Sequence, residues 1–172
     1  ILNCIHSEDI KNGEYIKLFQ KCGLCGFTIY SMNAELVFTV ANGLKKAYPK
    51  ISICVGGFLA TICAKQILKD CPSIDFIVLG DGEQSMLDAV VCLKTGGDLS
   101  LLPHVVTRYD TTEKKADVID ITELPPPARD NMIHSLRYGN TIAQISGSRG
   151  CCAHCTFCSA NYYAPKWRGR PV

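Results

Sequence analysis

Between Cys22 and about Leu93, short apolar runs alternate with stretches whose apolar residues recur at helical spacing. The runs LCGFTIYS (24–31), ISICVGG (51–57) and IDFIVLG (74–80) are apolar on both faces and rich in β-branched and aromatic residues. That composition suits parallel strands covered on both sides. Between the first two runs, Asn33 stands where an N-cap belongs, Leu36, Val37, Val40, Ala41 and Leu44 form one stripe, and Pro49 stops it. Between the second and third, Ala60, Ala64, Ile67 and Leu68 form another stripe, ended by Pro72. A third helical pattern carries Met86, Leu87, Val90 and Val91 and ends at Gly96-Gly97. Strand and helix alternating three times predict right-handed crossovers and an α/β fold, a flavodoxin- or Rossmann-like doubly wound parallel sheet. Ile1–Ile5 reads as an additional strand and Gly13–Lys21 as a short helix.

From Ser100 onward the texture changes. VVTRYD (105–110) and KADVID (115–120) flank a polar TTEK and read as a small hairpin, and ELPPPARD (123–130) is extended because consecutive prolines exclude helix. TIAQIS (141–146) is then a new short strand running into a cysteine-rich loop. The expected organisation is an α/β domain over 1–100, a hairpin and proline-rich linker over 101–140, and the beginning of a second unit over 141–172. No internal repeat or low-complexity tract interrupts this order.

A chain of 172 residues, 47% hydrophobic and 20% charged, has the make-up of a globular domain with one substantial core. Its formal charge of +2, with basic residues paired as in Lys45-Lys46 and Lys114-Lys115, gives no nucleic-acid surface. No apolar run reaches the roughly 18 residues of a membrane span, and ILNCIHSEDIKNGEY lacks the order of a secretory signal. A cytoplasmic protein is expected. There an odd count of 11 cysteines argues against a disulfide framework and divides the thiols into buried apolar residues and a reactive or metal-binding group.

In open α/β sheets ligands bind outside the carboxyl ends of the strands. Ser31-Met32-Asn33, Gly56-Gly57 and Gly80-Asp81-Gly82-Glu83 stand at three successive such ends. Glycine there lets backbone approach a bulky ligand, and the free amides of the following helices favour anionic groups. The bland account is a set of tight turns, with Glu83 a helix-start residue helped by the dipole. Neither G-x-G-x-x-G nor the P-loop lysine is present, which disfavours dinucleotides and nucleoside triphosphates.

In SGSRGCCAHCTFCSA (146–160), Cys151, Cys155 and Cys158 form C-x3-C-x2-C. Thiolates are soft ligands suited to zinc or an iron–sulfur cluster. A closed zinc site needs four ligands, and no cysteine or histidine follows Cys158. Cys152 and His154 are the nearby candidates for a fourth, each adjoining a ligand position. Iron–sulfur, zinc and unligated thiols all remain open on spacing. His6, His104 and His134 have no partners at ligand spacing and read as surface or linker residues. Arg168 and Arg170 beside Trp167 read as solvated.

The loop SRGCCAHCTFCSA, with Phe157 just before the third cysteine and a strand before it, resembles the cluster loop of the radical S-adenosylmethionine (SAM) superfamily. ISICVGGFLAT, PSIDFIVLGDGEQS and ELPPPARD follow the order of that family's cobalamin-binding subgroup, so the resemblance runs from about Leu24 to Arg168. It implies that Cys151, Cys155 and Cys158 hold a [4Fe-4S] cluster whose open iron chelates SAM, that Phe157 lies beside the adenine, and that Cys152 is a bystander. One-electron reduction by an external reductant would cleave SAM to a 5′-deoxyadenosyl radical. The cobalamin-type domain would use Ser31, Met32, Gly56, Gly57, Gly80, Gly82 and Glu83. The D-x-H-x-x-G signature for a cobalt-ligating histidine is absent, so the resemblance implies cobalamin without a protein histidine ligand.

The implied activity is radical chemistry on a small molecule or peptide, most often methyl transfer through methylcobalamin. Only fourteen residues follow Cys158, whereas a (β/α) barrel needs on the order of 200 residues. The expectation is therefore a truncated, inactive fragment whose unpaired TIAQIS strand invites self-association. Two other readings are carried. One is a flavodoxin-like binding module with a zinc knuckle. The other is a methylthiotransferase-like radical SAM protein whose Cys4, Cys22, Cys25, Cys54 and Cys63 serve a second cluster, against which the apolar strand setting of Cys22, Cys25 and Cys54 favours buried thiols.

Overall fold

The computed structural model describes residue 10 and residues 13–127, 145–164 and 166–170. The expected strand Ile1–Ile5, most of TIAQIS, the end of the proline-rich segment, Cys4, His6 and His134 lie outside them. Gly13–Ile119 is one compact unit, and the described residues from Asp120 onward belong to a second.

The first unit opens with α1 (Tyr15–Leu18) and continues as β1 (Leu24–Thr28), α2 (Ala34–Ala47), β2 (Ser52–Gly56), α3 (Phe58–Asp70), β3 (Phe76–Val78), α4 (Glu83–Thr95), a 3-10 turn (Leu99–Leu101) and β4 (Val105–Thr107). The strands stand in the order β1-β2-β3-β4. β1, β2 and β3 are parallel, with Leu24 opposite Ser52 and Cys54 opposite Phe76, and β4 is antiparallel to β3. Both parallel crossovers step the same way. In the right-handed sense they lay α2 and α3 on one face, so the reversal of order that defines a doubly wound sheet does not occur among the described strands.

Alternation explains the core. In β2, Ile53, Cys54 and Val55 are all buried, so both faces of the strand are covered. On one face Cys54 packs with Phe76, Val78, Val105 and, from α4, Ala89, with Met86, Leu93, Leu99 and Leu102 closing around them. Ile53 and Val55 point to the other face, where Val37, Val40, Ala41, Leu44, Ile67 and Leu68 of α2 and α3 are buried. Each buried Val, Leu or Ile among them contributes on the order of 1.5–3 kcal/mol.

Several expectations are corrected. Asn33 does precede α2, but its side chain caps nothing. It turns back to the β1 end, donating to the Thr28 carbonyl at 3.1 Å and accepting the Tyr30 amide at 2.7 Å. Leu87 and Val91 of α4 are exposed, because Ser85 and Ala89 are the residues turned inward. α3 is kinked at Cys63, whose φ of −113° and ψ of 27° leave the helical region. Cys22 is exposed, since it precedes β1 rather than lying in it.

The hairpin is also absent from 105–120. Val105, Val106 and Thr107 pair with Val78, Ile77 and Phe76, and Asp117 makes an isolated parallel bridge with Gly80. The two segments are tied by side chains instead. Lys114 Nζ donates to the Val105 carbonyl at 2.6 Å and the Ser100 carbonyl at 2.7 Å, with Asp110 as its counter-ion at 3.1 Å. Hydrogen bonds to β3, whose three residues are all buried, outweigh local pairing across a polar turn.

The second unit contains β5 (Ser148–Arg149), α5 (Ala160–Tyr163) and β6 (Arg168–Gly169), with Ser148 opposite Gly169 in an antiparallel pair. Ile145 is exposed and lies outside any strand. Arg170 extends the pairing through its amide to the Gly147 carbonyl at 2.9 Å, and its guanidinium donates to the Leu124 carbonyl at 2.9 Å. Arg170 is thus tied in rather than solvated. Among the described residues no helix is long and apolar enough to cross a membrane.

Candidate functional site: a glycine-lined sheet edge and a three-cysteine loop

Because β1, β2 and β3 run parallel, the residues that follow them lie along one sheet edge. After β1 come Ser31 and Met32, both exposed, Met32 at 96%. After β2 come Gly56 and Gly57, and after β3 come Gly80, Asp81, Gly82 and the exposed Glu83, the last opening α4.

The four glycines differ in why they are glycine. Gly57 has φ 91° and ψ −167°, and a Cβ there would stand 2.8 Å from Thr28 Cγ2. Gly80 has φ 71°, and a Cβ would overlap the Asp117 backbone. Both are required by the fold. Gly56 and Gly82 are not: neither has positive φ, and a Cβ would meet neighbours only at 3.5 Å (Val78 O) and 3.9 Å (Val78 Cγ1). The side-chain space they leave open faces ordinary contact or nothing, which is what close approach by a bulky group needs.

A polar network ties this edge together. The Thr61 hydroxyl donates to the Gly57 carbonyl and accepts the Gly80 amide, both at 2.9 Å. The Asp81 and Asp117 amides pair with the Asp117 and Leu79 carbonyls at 2.9 and 3.3 Å. Ser85 donates to Asp117 Oδ2 at 2.8 Å, and buried Asp81 accepts the Ile119 amide at 3.1 Å. His104 is partly buried rather than a free surface residue: Nδ1 lies 2.8 Å from the Lys115 carbonyl and Nε2 3.9 Å from Asp117 Oδ1. Thr61, Ser85, His104 and Asp117 escape a reading of single motifs. Thr61 is visible four residues after Gly57, but only the fold reveals the second turn it reaches.

In the second unit the cysteine loop leaves β5 through Gly150, whose φ of 82° and closeness to the Lys166 backbone admit only glycine. The Cys151 thiol accepts the Ala153 amide at 3.4 Å, and the Cys158 amide donates to the Cys155 carbonyl at 3.1 Å. Cys155 is exposed, Cys151 and Cys158 are partly so, and all cysteines among the described residues are free. Cys152 and His154 are exposed, as is Phe157, at 91%. Among the described residues no three His, Cys, Asp or Glu side chains converge as a metal site. The loop holds four thiols on eight residues, three of them at C-x3-C-x2-C spacing, and none of the four is drawn into a metal site among the described residues. Gathering thiolates without a cation is opposed by their mutual repulsion, and metal binding and local ordering are coupled for that reason.

The thiols of the sheet are different. Burial pushes Cys25 up to about 12, with Cys22 nearby adding to the effect, and pushes Cys54 up to about 12, with Cys25 and Asp75 adding. Burial likewise raises Cys71. These groups stay protonated and make poor ligands.

No family model matches the chain. It is 26% identical over 176 residues to an uncharacterized methyltransferase of Pyrococcus horikoshii, covering 96% of this chain and 38% of that protein. It is 28% identical over 151 residues to the hopanoid C-3 methylase of Methylococcus capsulatus, covering 84% of this chain and 29% of that one. An anaerobic magnesium-protoporphyrin IX monomethyl ester cyclase of Synechocystis matches at 27% over 133 residues, 74% of this chain and 27% of its own length. The chain thus spans about a quarter to two fifths of these relatives. The radical SAM methyltransferase TsrM of Kitasatospora setae, solved with cobalamin and a [4Fe-4S] cluster, superposes with a TM-score of 0.67 at 14% identity, over 96% of this chain and 36% of that one. The chain is thus a homologue of proteins named as a methyltransferase, a methylase and a cyclase, and it shares the fold of the radical SAM methyltransferase TsrM.

Its residues fit what such a homologue would hold. Three soft donors at C-x3-C-x2-C spacing suit an iron–sulfur cluster as well as zinc. The open Gly56 and Gly82 positions suit a bulky group laid on the sheet edge.

Proposed function

We propose that this chain supplies the cobalamin-type domain and the cluster loop of a cobalamin-dependent radical SAM methyltransferase. The observation that carries the reading is the presence on one chain of two features. One is a loop with three thiols at C-x3-C-x2-C spacing; the other is a sheet edge at which Gly56 and Gly82 are glycine for neither conformational nor packing reasons. The methyltransferase and methylase names among the relatives support methyl transfer as the outcome.

In this reading Cys151, Cys155 and Cys158 would hold a [4Fe-4S] cluster, and Phe157 would lie beside the adenine of SAM. Ser31, Met32, Gly56, Gly57, Gly80, Gly82 and Glu83 form the cobalamin edge. The cofactors together supply radical generation and a transferable methyl group. The chain's own residues would bind and orient: the start of α4 at Glu83 lies on this edge, and Thr61 links the two glycine turns. The substrate is a small molecule or peptide, and electrons come from an external one-electron reductant.

Anaerobic reconstitution of the full-length protein tests this. The expected result is about four irons and four sulfides per chain, a reducible cluster with the paramagnetic signature of [4Fe-4S]⁺, and one bound cobalamin. One equivalent of zinc without visible absorption would support the binding-module reading instead. Absence of any cluster would overturn the proposal.

A further inference from the structure

We infer that Thr61 is a positioning residue for cobalamin, acting through the spacing of the two glycine turns that its hydroxyl joins; the inference rests on the cobalamin reading of this edge. A threonine hydroxyl in a helix commonly bonds back to the carbonyl four residues earlier, and the bond to Gly57 at 2.9 Å is of that local kind. The bond from the Gly80 amide is not, because it reaches across to a turn nineteen residues further on. A single oxygen thus links the turn after β2 to the turn after β3, beyond Val55 and Ile77, where the strand pairing ends.

The geometry on either side gives that distance its consequence. Gly57 is flanked by Gly56, and Gly80 by Gly82, the two glycines that the fold itself does not require. A change in separation between the turns therefore moves both open positions relative to each other. Gly80 is also locked from the far side through its bridge to Asp117, and Asp117 is held by Ser85 at 2.8 Å. Thr61 is the side chain that joins the Gly57 turn to this assembly.

The test uses the full-length protein and its T61V and T61S variants, titrated with hydroxocobalamin under anaerobic conditions. Valine keeps the shape and deletes the hydroxyl; serine keeps the hydroxyl. The expected result is roughly tenfold weaker cobalamin binding for T61V, a changed visible spectrum of the bound cofactor, unchanged iron content, and restoration of both affinity and spectrum in T61S. A purely structural role would lower the melting temperature and leave the spectrum of the bound fraction as in the wild type, and that outcome overturns the inference. Equal affinity and spectrum in wild type and T61V overturn it as well, with the cobalamin reading intact. No binding by the wild type overturns the cobalamin reading and the inference with it. If T61V does not fold, T61A, which leaves space instead of adding a methyl group, is judged by the same outcomes.

Discussion

Lys45 and Asp75 meet at 2.7 Å on the side of the sheet away from the glycine turns, and the same Asp75 oxygen accepts the Ile53 amide at 2.7 Å. Lys45 also donates to the Ile51 carbonyl at 2.6 Å, so the pair joins α2, the entry to β2 and the approach to β3.

The ion pair itself is partly exposed on both sides, which limits its worth to about 0–1 kcal/mol. The backbone amide is the larger stake, because losing its acceptor costs about 1–3 kcal/mol. D75A should therefore destabilise the protein by about 1–3 kcal/mol and D75N by less, since asparagine keeps an oxygen for Ile53. Urea unfolding of the three proteins measures this. Equal losses for D75A and D75N would place the effect in the ion pair instead.

The two classes of glycine give a sharper separation. G57A and G80A force a side chain into positive φ and into neighbouring atoms, so each should cost about 1–3 kcal/mol or prevent folding. G56A and G82A should leave stability within about 0.5 kcal/mol of the wild type, yet weaken cobalamin binding. Melting temperatures and cobalamin titrations of the four variants form the check. Full cobalamin affinity in both G56A and G82A would mean that nothing is laid on those positions.

Much of this was legible in the apolar pattern, because a buried parallel sheet writes itself into local sequence. The three apolar runs became β1, β2 and β3, although β1, at the sheet end, is exposed at Gly26 and Thr28 and so is not covered on both faces; the helical stripes became α2, α3 and α4, and Gly96 takes the left-handed conformation that ends α4, with φ 70°. What escaped is non-local. The bridge of Gly80 to Asp117 joins backbone 37 residues apart and leaves no periodic trace. The reversal of the Asn33 side chain follows from a free Thr28 carbonyl, which only the turn creates. At the cysteine loop the residue types were legible in C-x3-C-x2-C, while among the described residues their side chains do not converge.

The buried thiols predict a pH dependence. Cys25 and Cys54 titrate at about 12 in the folded chain, against an ordinary thiol value of about 8.5 when unfolded. A folded pKa above the unfolded one adds stability that is fully present below the unfolded value and is lost as pH rises toward the folded value. Stability should hold through pH 8 and fall between about pH 9 and 12. The C25A and C54A variants, compared at pH 8 and pH 10.5, should lose part of that alkaline slope. Alkylation at pH 8 should modify exposed Cys22, Cys152 and Cys155 in the apo protein and spare Cys25 and Cys54 until denaturant is added. Rapid labelling of Cys54 in the native protein would contradict its burial in the sheet.

Iron content separates the cysteines by role. A cubane held by three thiolates does not survive loss of one, since the remaining pair leaves two irons open to solvent and hydrolysis. C151A, C155A and C158A should each lower reconstituted iron from about four per chain to well under one. C152A should leave it unchanged, because Cys152 adjoins a ligand and is exposed at the loop surface. C22A, C25A, C54A and C63A should also leave iron unchanged, although C54A loses stability through its place beside Phe76 and Val78. A second cluster, as in the methylthiotransferase reading, would instead give the wild type about eight irons and make several of these last four variants lose half. Metal analysis of the eight variants after identical anaerobic reconstitution decides between the two counts. A loss of iron confined to 151, 155 and 158 would make the C-x3-C-x2-C loop sufficient for the metal centre.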